Sequence, residues 1–211
     1  MPSRPFQAPL LLLSLGLAAC APPTDVAARG EQLFTGCATC HGTDGLGNAA
    51  IQVPAIAGLP DWYIKTQLHK FRSGVRGAHP DDHTGLRMRP MSRMLRTDTD
   101  VDDVAEFISK MPTGARTAFV EGGDATAGQA SFALCTACHG QDGMGNETMK
   151  APPIAQLDDW YVVAQLTKFK SGIRGTNPAD AEGAQMRPMA MTLADDQAVK
   201  NVATYIQTLK K

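Results

Sequence analysis

Aromatic residues are scarce, 6% of 211 positions, and lopsided charge is absent: Lys+Arg 20 against Asp+Glu 21 leaves a formal −1. A chain so poor in Phe, Tyr and Trp must fill its core with something else. A chain so balanced lacks the basic footprint of a general nucleic-acid binder. No apolar run has the length of a permanent membrane-spanning helix, and no convincing strand-type alternation appears. Cysteines number five, an odd count that a pure disulfide framework does not produce. Against these shortages stand ten methionines and a 43% hydrophobic fraction, ordinary for a globular protein with room for one or two domains.

The start of the chain reads as an address. Arg4 precedes the apolar stretch Leu10–Ala19, the order expected of a secretory signal. The stretch closes on Leu17-Ala18-Ala19-Cys20, which resembles a bacterial lipobox with Cys20 as the lipid-modified first residue of the mature protein. A plain cut after Ala21 is the alternative, and it would set Pro22 just beyond the cut. Residues 1–19 are thus expected to be a lipoprotein-type signal peptide, and 20–26 a tether.

The remainder is one unit written twice. A shift of 98 residues carries Cys37, Cys40 and His41 onto Cys135, Cys138 and His139, and Asp61-Trp62-Tyr63 onto Asp159-Trp160-Tyr161. Met88-Arg89-Pro90-Met91 returns unchanged as Met186-Arg187-Pro188-Met189, and nearly half the aligned positions are identical. Such self-similarity is a tandem duplication. It predicts a first domain over 27–111, a linker over 112–124 where Gly, Pro and Thr cluster, and a second domain over 125–211. Each unit reads as helices joined by turn-rich loops. Helices are expected over Ala27–Thr35, Trp62–Ser73 and Asp98–Lys110, then Ala125–Leu134, Trp160–Ser171 and Asp195–Leu209. The fold class is all-α.

Cys37-Ala38-Thr39-Cys40-His41 and Cys135-Thr136-Ala137-Cys138-His139 both fit C-x-x-C-H, the signature of covalent c-type haem attachment. Two thiols three residues apart lie along one helical turn and can add to the two vinyl groups on one porphyrin edge. The adjacent histidine then reaches the iron. Two other readings compete: a Cys₄ zinc site shared between the repeats, and a pair of redox-active dithiols. A sixth iron ligand must recur as the haem site recurs. His69, His79 and His83 face Thr167, Asn177 and Ala181, so they do not qualify and read as solvated side chains. Met88/Met186 and Met91/Met189 do recur, and methionine is the usual partner of histidine in electron-carrying cytochromes c.

Together, the two C-x-x-C-H units, the aromatic-rich central helix and a methionine seven residues before Leu95 or Leu193 resemble the cytochrome c4 family, over roughly Ala27–Leu209. The resemblance implies two tandem class I cytochrome c domains about a pseudo-twofold axis, with haem propionates near their interface. It implies two covalently bound haem c groups and maps the ligand methionine onto Met88 and Met186. It gives Gly30 and Gly128 the role of letting the terminal helices cross closely. Pro54 and Pro152 resemble the proline whose carbonyl accepts the histidine ring N–H. Arg76 and Arg174 are the recurring cations suited to propionates. Trp62 and Trp160 are candidates either for propionate contact or for packing.

The expected activity is electron transfer in the periplasm, between a quinol-oxidising complex and a terminal oxidase or reductase. Redox proteins are the expected partners, with a lipid anchor at Cys20, no nucleic acid and no small-molecule substrate. Alternatives are a cytochrome subunit of a periplasmic dehydrogenase and a two-haem peroxidase-type enzyme. One asymmetry stands out: Arg87, Arg89, Arg93 and Arg96 crowd the first methionine loop, whereas only Arg187 remains in the second. That basic edge is expected to meet an acidic partner.

Overall fold

The structure, a computed structural model, describes residues 25–115 and 117–209. The leader and Cys20 lie outside the described residues. In the first repeat, α1 spans Val26–His41, α2 Asp61–Ser73, α3 His83–Ser92 and α4 Asp98–Ser109. In the second, α5 spans Ala125–Phe132, α6 Thr136–His139, α7 Asp159–Lys170, α8 Ala181–Met191 and α9 Asp196–Thr208. Among the described residues there are no named strands, only the isolated bridges Asn48–Val53 and Asn146–Ala151. The all-α reading holds.

Helix starts follow local chemistry. Asp25 and Asp124 accept backbone N–H bonds ahead of α1 and α5. Thr97 and Asp100 form a reciprocal capping box ahead of α4, satisfying two N–H groups that would otherwise lack partners. Gly74, at φ 82°, closes α2 in the left-handed conformation that a side chain would resist.

Two segments differ from expectation. The methionine segments are helices, α3 and α8, not loops. Gly85 and Pro90, with their repeats Gly183 and Pro188, weaken the helical signal in both. Yet both glycines are buried with their backbone N–H held by Asp82 or Asp180, so tertiary contacts override the local preference. The first approach helix also continues beyond Thr35 to His41, carrying the whole C-x-x-C-H motif as helix, whereas the second breaks at Ala133–Cys135 before α6 resumes it.

Within each repeat the terminal helices cross, α1 against α4 and α5 against α9. Gly30 and Gly128 sit at those crossings, where an added Cβ would meet backbone atoms of Asp103 and Asn201. Rings fill the flanks: Phe34 and Phe107 centroids are 5.4 Å apart, Phe132 and Tyr205 5.2 Å. Val101, Val104, Ala105 and Ile108 of α4 are fully or almost fully buried, as are Val199, Val202, Ala203 and Ile206 of α9.

The repeats meet through exchanged contacts. Lys70 of α2 pairs with Asp180, and with Glu182 at 2.6 Å; the equivalent Lys168 of α7 pairs with Asp82 at 2.6 Å and donates to Thr84 at 2.5 Å. The chain ahead of α5 is tied down as well, since the N–H groups of Phe119 and Val120 donate to Asp159 at 2.8 and 2.9 Å.

Candidate functional site

The second repeat opens a cleft of about 1400 Å³, mouth included. Cys135, Cys138 and His139 of the α5–α6 segment line one part of it and Met186 and Met189 of α8 another, with apolar residues such as Leu157, Leu166 and Val202 between them. Such a wall suits a large flat hydrophobic group, and would supply the core bulk that the scarce aromatics do not.

Histidine is set the same way in both repeats. His41 Nδ1 donates to the Pro54 carbonyl at 2.9 Å, and His139 Nδ1 to the Pro152 carbonyl at 2.8 Å. Burial holds both imidazoles below the usual histidine range, a pull that the proline carbonyls only partly offset. Each ring is therefore neutral at pH 7, with its N–H committed to the proline and the Nε2 lone pair free for a metal.

The thiols behave differently from redox dithiols. Burial, helped by the neighbouring Cys40, pushes Cys37 up to about 11, and burial raises Cys135 too. Burial thus works against the thiolate form at the first cysteine of each pair, unlike the activated thiols of redox dithiols. The zinc reading fails on geometry: among the described residues no three His, Cys, Asp or Glu side chains gather to hold a metal.

Met88 and Met186 are half-buried and pack against the apolar core, while Met91 and Met189 do not join it and Met189 is 38% exposed. His69 turns to Arg72, and His79 accepts the N–H of Asp81; with His83 exposed, none of the three lines the cleft.

Arg76 and Arg174 meet at the domain interface rather than staying within their own units. Arg76 donates to Gln67 at 2.7 Å and, across the interface, to Tyr161 at 2.8 Å and Gln165 at 3.0 Å. Arg174 donates to Gln165 at 2.9 Å and back across to Gln67 at 3.1 Å. Each guanidinium also stacks 4.5 Å over a phenylalanine, Phe71 or Phe169. Their hydrogen-bond partners are neutral amides and a phenol. Burial and then the neighbouring Arg76 charge pull Arg174 below its ordinary range, and its buried Nε has no partner among the described residues. Two cations hidden together, with a donor to spare, fit a group that brings carboxylates to this seam.

The tryptophans also cross over. Trp62 lines the cleft of the second repeat, with Lys150 Nζ 5.7 Å from its ring centroid. Trp160 lines a small cavity together with Leu46, Ala49 and Ala55 of the first repeat and Phe119. Sequence reasoning missed the lysine–carboxylate exchange between repeats. Its one signal was that Lys70 and Asp82 both recur.

Comparison with known proteins agrees with this geometry. The cytochrome c family model matches the chain twice, over residues 27–112 and 125–210. Cytochrome c4 of Azotobacter vinelandii is 33% identical over 208 residues, covering 94% of this chain and 96% of that protein. A protein of Stutzerimonas stutzeri described as a thiosulfate dehydrogenase electron acceptor is 34% identical over 198 residues, covering 85% of each. The crystal structure of reduced cytochrome c4 from Pseudomonas stutzeri superposes with a TM-score of 0.68 at 28% identity, covering 86% of this chain and 97% of that one. Tandem motifs, matching folds and near-full-length relatives place this chain in the cytochrome c4 family, electron-transfer proteins with two covalently bound haem c groups.

Proposed function

We propose that the protein is a periplasmic carrier that takes single electrons from a quinol-oxidising complex and delivers them to a terminal oxidase or reductase, acting as a carrier and not as an enzyme. The domains run over 27–111 and 125–211, with 112–124 between them. Residues 1–19 are the export signal and Cys20 the lipid anchor. Each haem, when bound, supplies a one-electron iron couple. Cys37 and Cys40 hold one by thioether bonds, Cys135 and Cys138 the other. His41 and His139 present neutral Nε2 atoms to the iron, oriented by Pro54 and Pro152. Met88 and Met186 would supply the second iron ligand, a soft thioether that raises the reduction potential. Arg76 and Arg174 neutralise the propionates at the seam, and Trp62 and Trp160 cover the edge of the other domain's site.

The observation that carries this reading is the cleft itself, lined by a fixed neutral histidine and by a methionine that packs against the apolar core. A histidine and a methionine in each repeat are the donors of an electron carrier, whose iron would need no open position. A second reading is favoured by the relative described as a thiosulfate dehydrogenase electron acceptor: the donor would then be a periplasmic dehydrogenase.

The test is spectroscopic. Purified protein should stain for haem after denaturing electrophoresis, and its oxidised form should show the weak red band of a thioether-ligated ferric iron. Met88→Leu and Met186→Leu should each halve that band and lower the potential of one haem. If Met91→Leu and Met189→Leu remove the band instead, the ligand assignment is wrong. A colourless protein would sink the reading altogether.

A further inference from the structure

The helices α3 and α8 are equivalent in fold and opposite in surface. Along α3 and the turn that closes it, the exposed stripe runs through Leu86, Arg87, Pro90, Arg93 and Met94, spaced three or four apart. The same stripe on α8 reads Ala184, Gln185, Pro188, Met191 and Thr192. Over residues 83–97 there are four arginines and no acid, a net +4; over 181–195 Arg187 stands against Glu182 and Asp195, a net −1. Two copies of one helix thus differ by five charges, with their inward methionines unchanged.

The structure sorts those arginines. Arg89 is turned inward, with its Nε buried and Gly74 packed beside its guanidinium. Arg87 and Arg93 are exposed, and each is steadied by a neutral carbonyl: Arg87 Nη2 donates to Ile51 at 2.9 Å, Arg93 Nε to Arg72 at 3.2 Å. Those bonds fix the side chains without cancelling their charge. The nearby acids are engaged elsewhere, Asp98 by Arg72 and Asp82 by Lys168. Beside the cations lie Leu86, 38% exposed, and Met94, 61% exposed. Exposed apolar side chains interleaved with fixed cations suit a transient protein contact. Pre-set guanidinium forks match carboxylates bidentately.

We propose that the outward face of α3 docks an acidic protein surface through which the first domain exchanges electrons, and that the matching face of α8 does not. The inference rests on the carrier function above. Electrons then enter and leave through chemically different faces, so one partner cannot occupy both ends. Arg87 and Arg93 act on encounter, not on the iron.

The test is stopped-flow electron exchange with an acidic blue-copper protein as probe, across a range of ionic strengths. The unaltered protein should react at least tenfold faster at low salt than at high salt, the scale of electrostatic steering. Arg87→Glu/Arg93→Glu should lower the low-salt rate at least tenfold and reverse the salt dependence. Arg87→Gln/Arg93→Gln, which removes charge more gently, should fall between. Ala184→Glu/Met191→Glu on α8 should stay within twofold of the unaltered protein. Low-salt rates of both Arg87/Arg93 variants within twofold of the unaltered protein would overturn the proposal. So would an equal loss on altering α8, or an arginine variant that loses binding to phosphatidylglycerol vesicles while keeping its exchange rate. Reduction by ascorbate separates the two levels of the argument. An unaltered protein that accepts no electron from ascorbate refutes the carrier function, and docking with it. Normal reduction with an indifferent arginine variant refutes docking alone.

Discussion

Adding one methyl group at Gly30 should destabilise the first domain, although the same change on an open helix would stabilise it. Replacing glycine by alanine inside a helix ordinarily gains about 1 kcal/mol from backbone entropy. At Gly30 the new Cβ would stand 2.5 Å from the Asp103 carbonyl oxygen and 2.7 Å from Phe107 Cβ, both on α4. Carbon atoms pack best at about 3.5–4.0 Å, so relief requires α1 and α4 to separate by roughly 1 Å. The nearest obstacle is backbone, which cannot swing aside as a side-chain tip can. Overpacking of this kind costs about 1–3 kcal/mol, more where the backbone must move, and a gap of that width also forfeits a quarter to a half of the dispersion energy along the crossing. The net for Gly30→Ala is a loss of about 2 kcal/mol, which for a domain of this size lowers the melting midpoint by roughly 10 °C. Gly36 on the same helix is the control, because its Cβ would meet only Met94 Cε, at 3.8 Å. Gly36→Ala should be neutral or stabilising by up to about 1 kcal/mol. Thermal unfolding of the holoprotein, followed by far-ultraviolet circular dichroism, reads both. A Gly30→Ala protein that melts at or above the unaltered temperature refutes the close-crossing argument.

Other expectations are as direct. Lys168→Met leaves the Asp82 carboxylate, its side chain 4% exposed, without its cation and should cost about 3–5 kcal/mol in denaturant unfolding. Burial alone would raise Asp82, but the hydrogen bond and charge of Lys168, the Gly85 N–H and the Arg76 charge together outweigh it, so its folded pKa lies below the ordinary value. The stability this contributes is complete above the unfolded carboxylate range, about pH 4, and is lost as pH falls through the folded value. The melting temperature should therefore drop on acidification below about pH 4, and Lys168→Met should flatten that drop. Cys20→Ser should move the protein from the membrane fraction to the soluble periplasmic fraction; a protein that stays sedimentable is held by something other than the lipid.

Much of this was legible in the sequence because the motifs are local. Cys37 to His41 span little more than one helical turn, and the His41–Pro54 pairing lies thirteen residues along the chain within one repeat. Helices α4 and α9 announced themselves through apolar residues at i, i+3 and i+4, with one face to bury and acids at the start. Helices α3 and α8 did not. Each carries a proline and a buried glycine and owes its shape to Asp82 or Asp180 holding the first turn, a contact that reads as an ordinary surface aspartate until the fold is known. The partners of Arg76, Arg174, Trp62 and Trp160 were hidden for another reason. A repeat gives the same residue at two positions and says nothing about whether its contact lies in its own copy or the other. Here both arginines bond into the other copy, and both tryptophans line cavities together with its residues.

The exchanged lysine pairs are the contacts of a twofold homodimer enclosed in one polypeptide: what one half offers, the other accepts, and the reverse. Joining the halves through 112–124 changes their thermodynamics without adding a contact. Free subunits meet at whatever concentration the cell provides. Tethered ones meet at an effective concentration on the order of millimolar, however dilute the protein. An interface too weak to hold free subunits together then stays closed, and the spacing of two redox centres stops depending on expression level. Fusion also frees the halves to diverge. A substitution in a homodimer strikes both sides of the axis, whereas here Glu182 stands beside Lys70 while its counterpart beside Lys168 is Thr84.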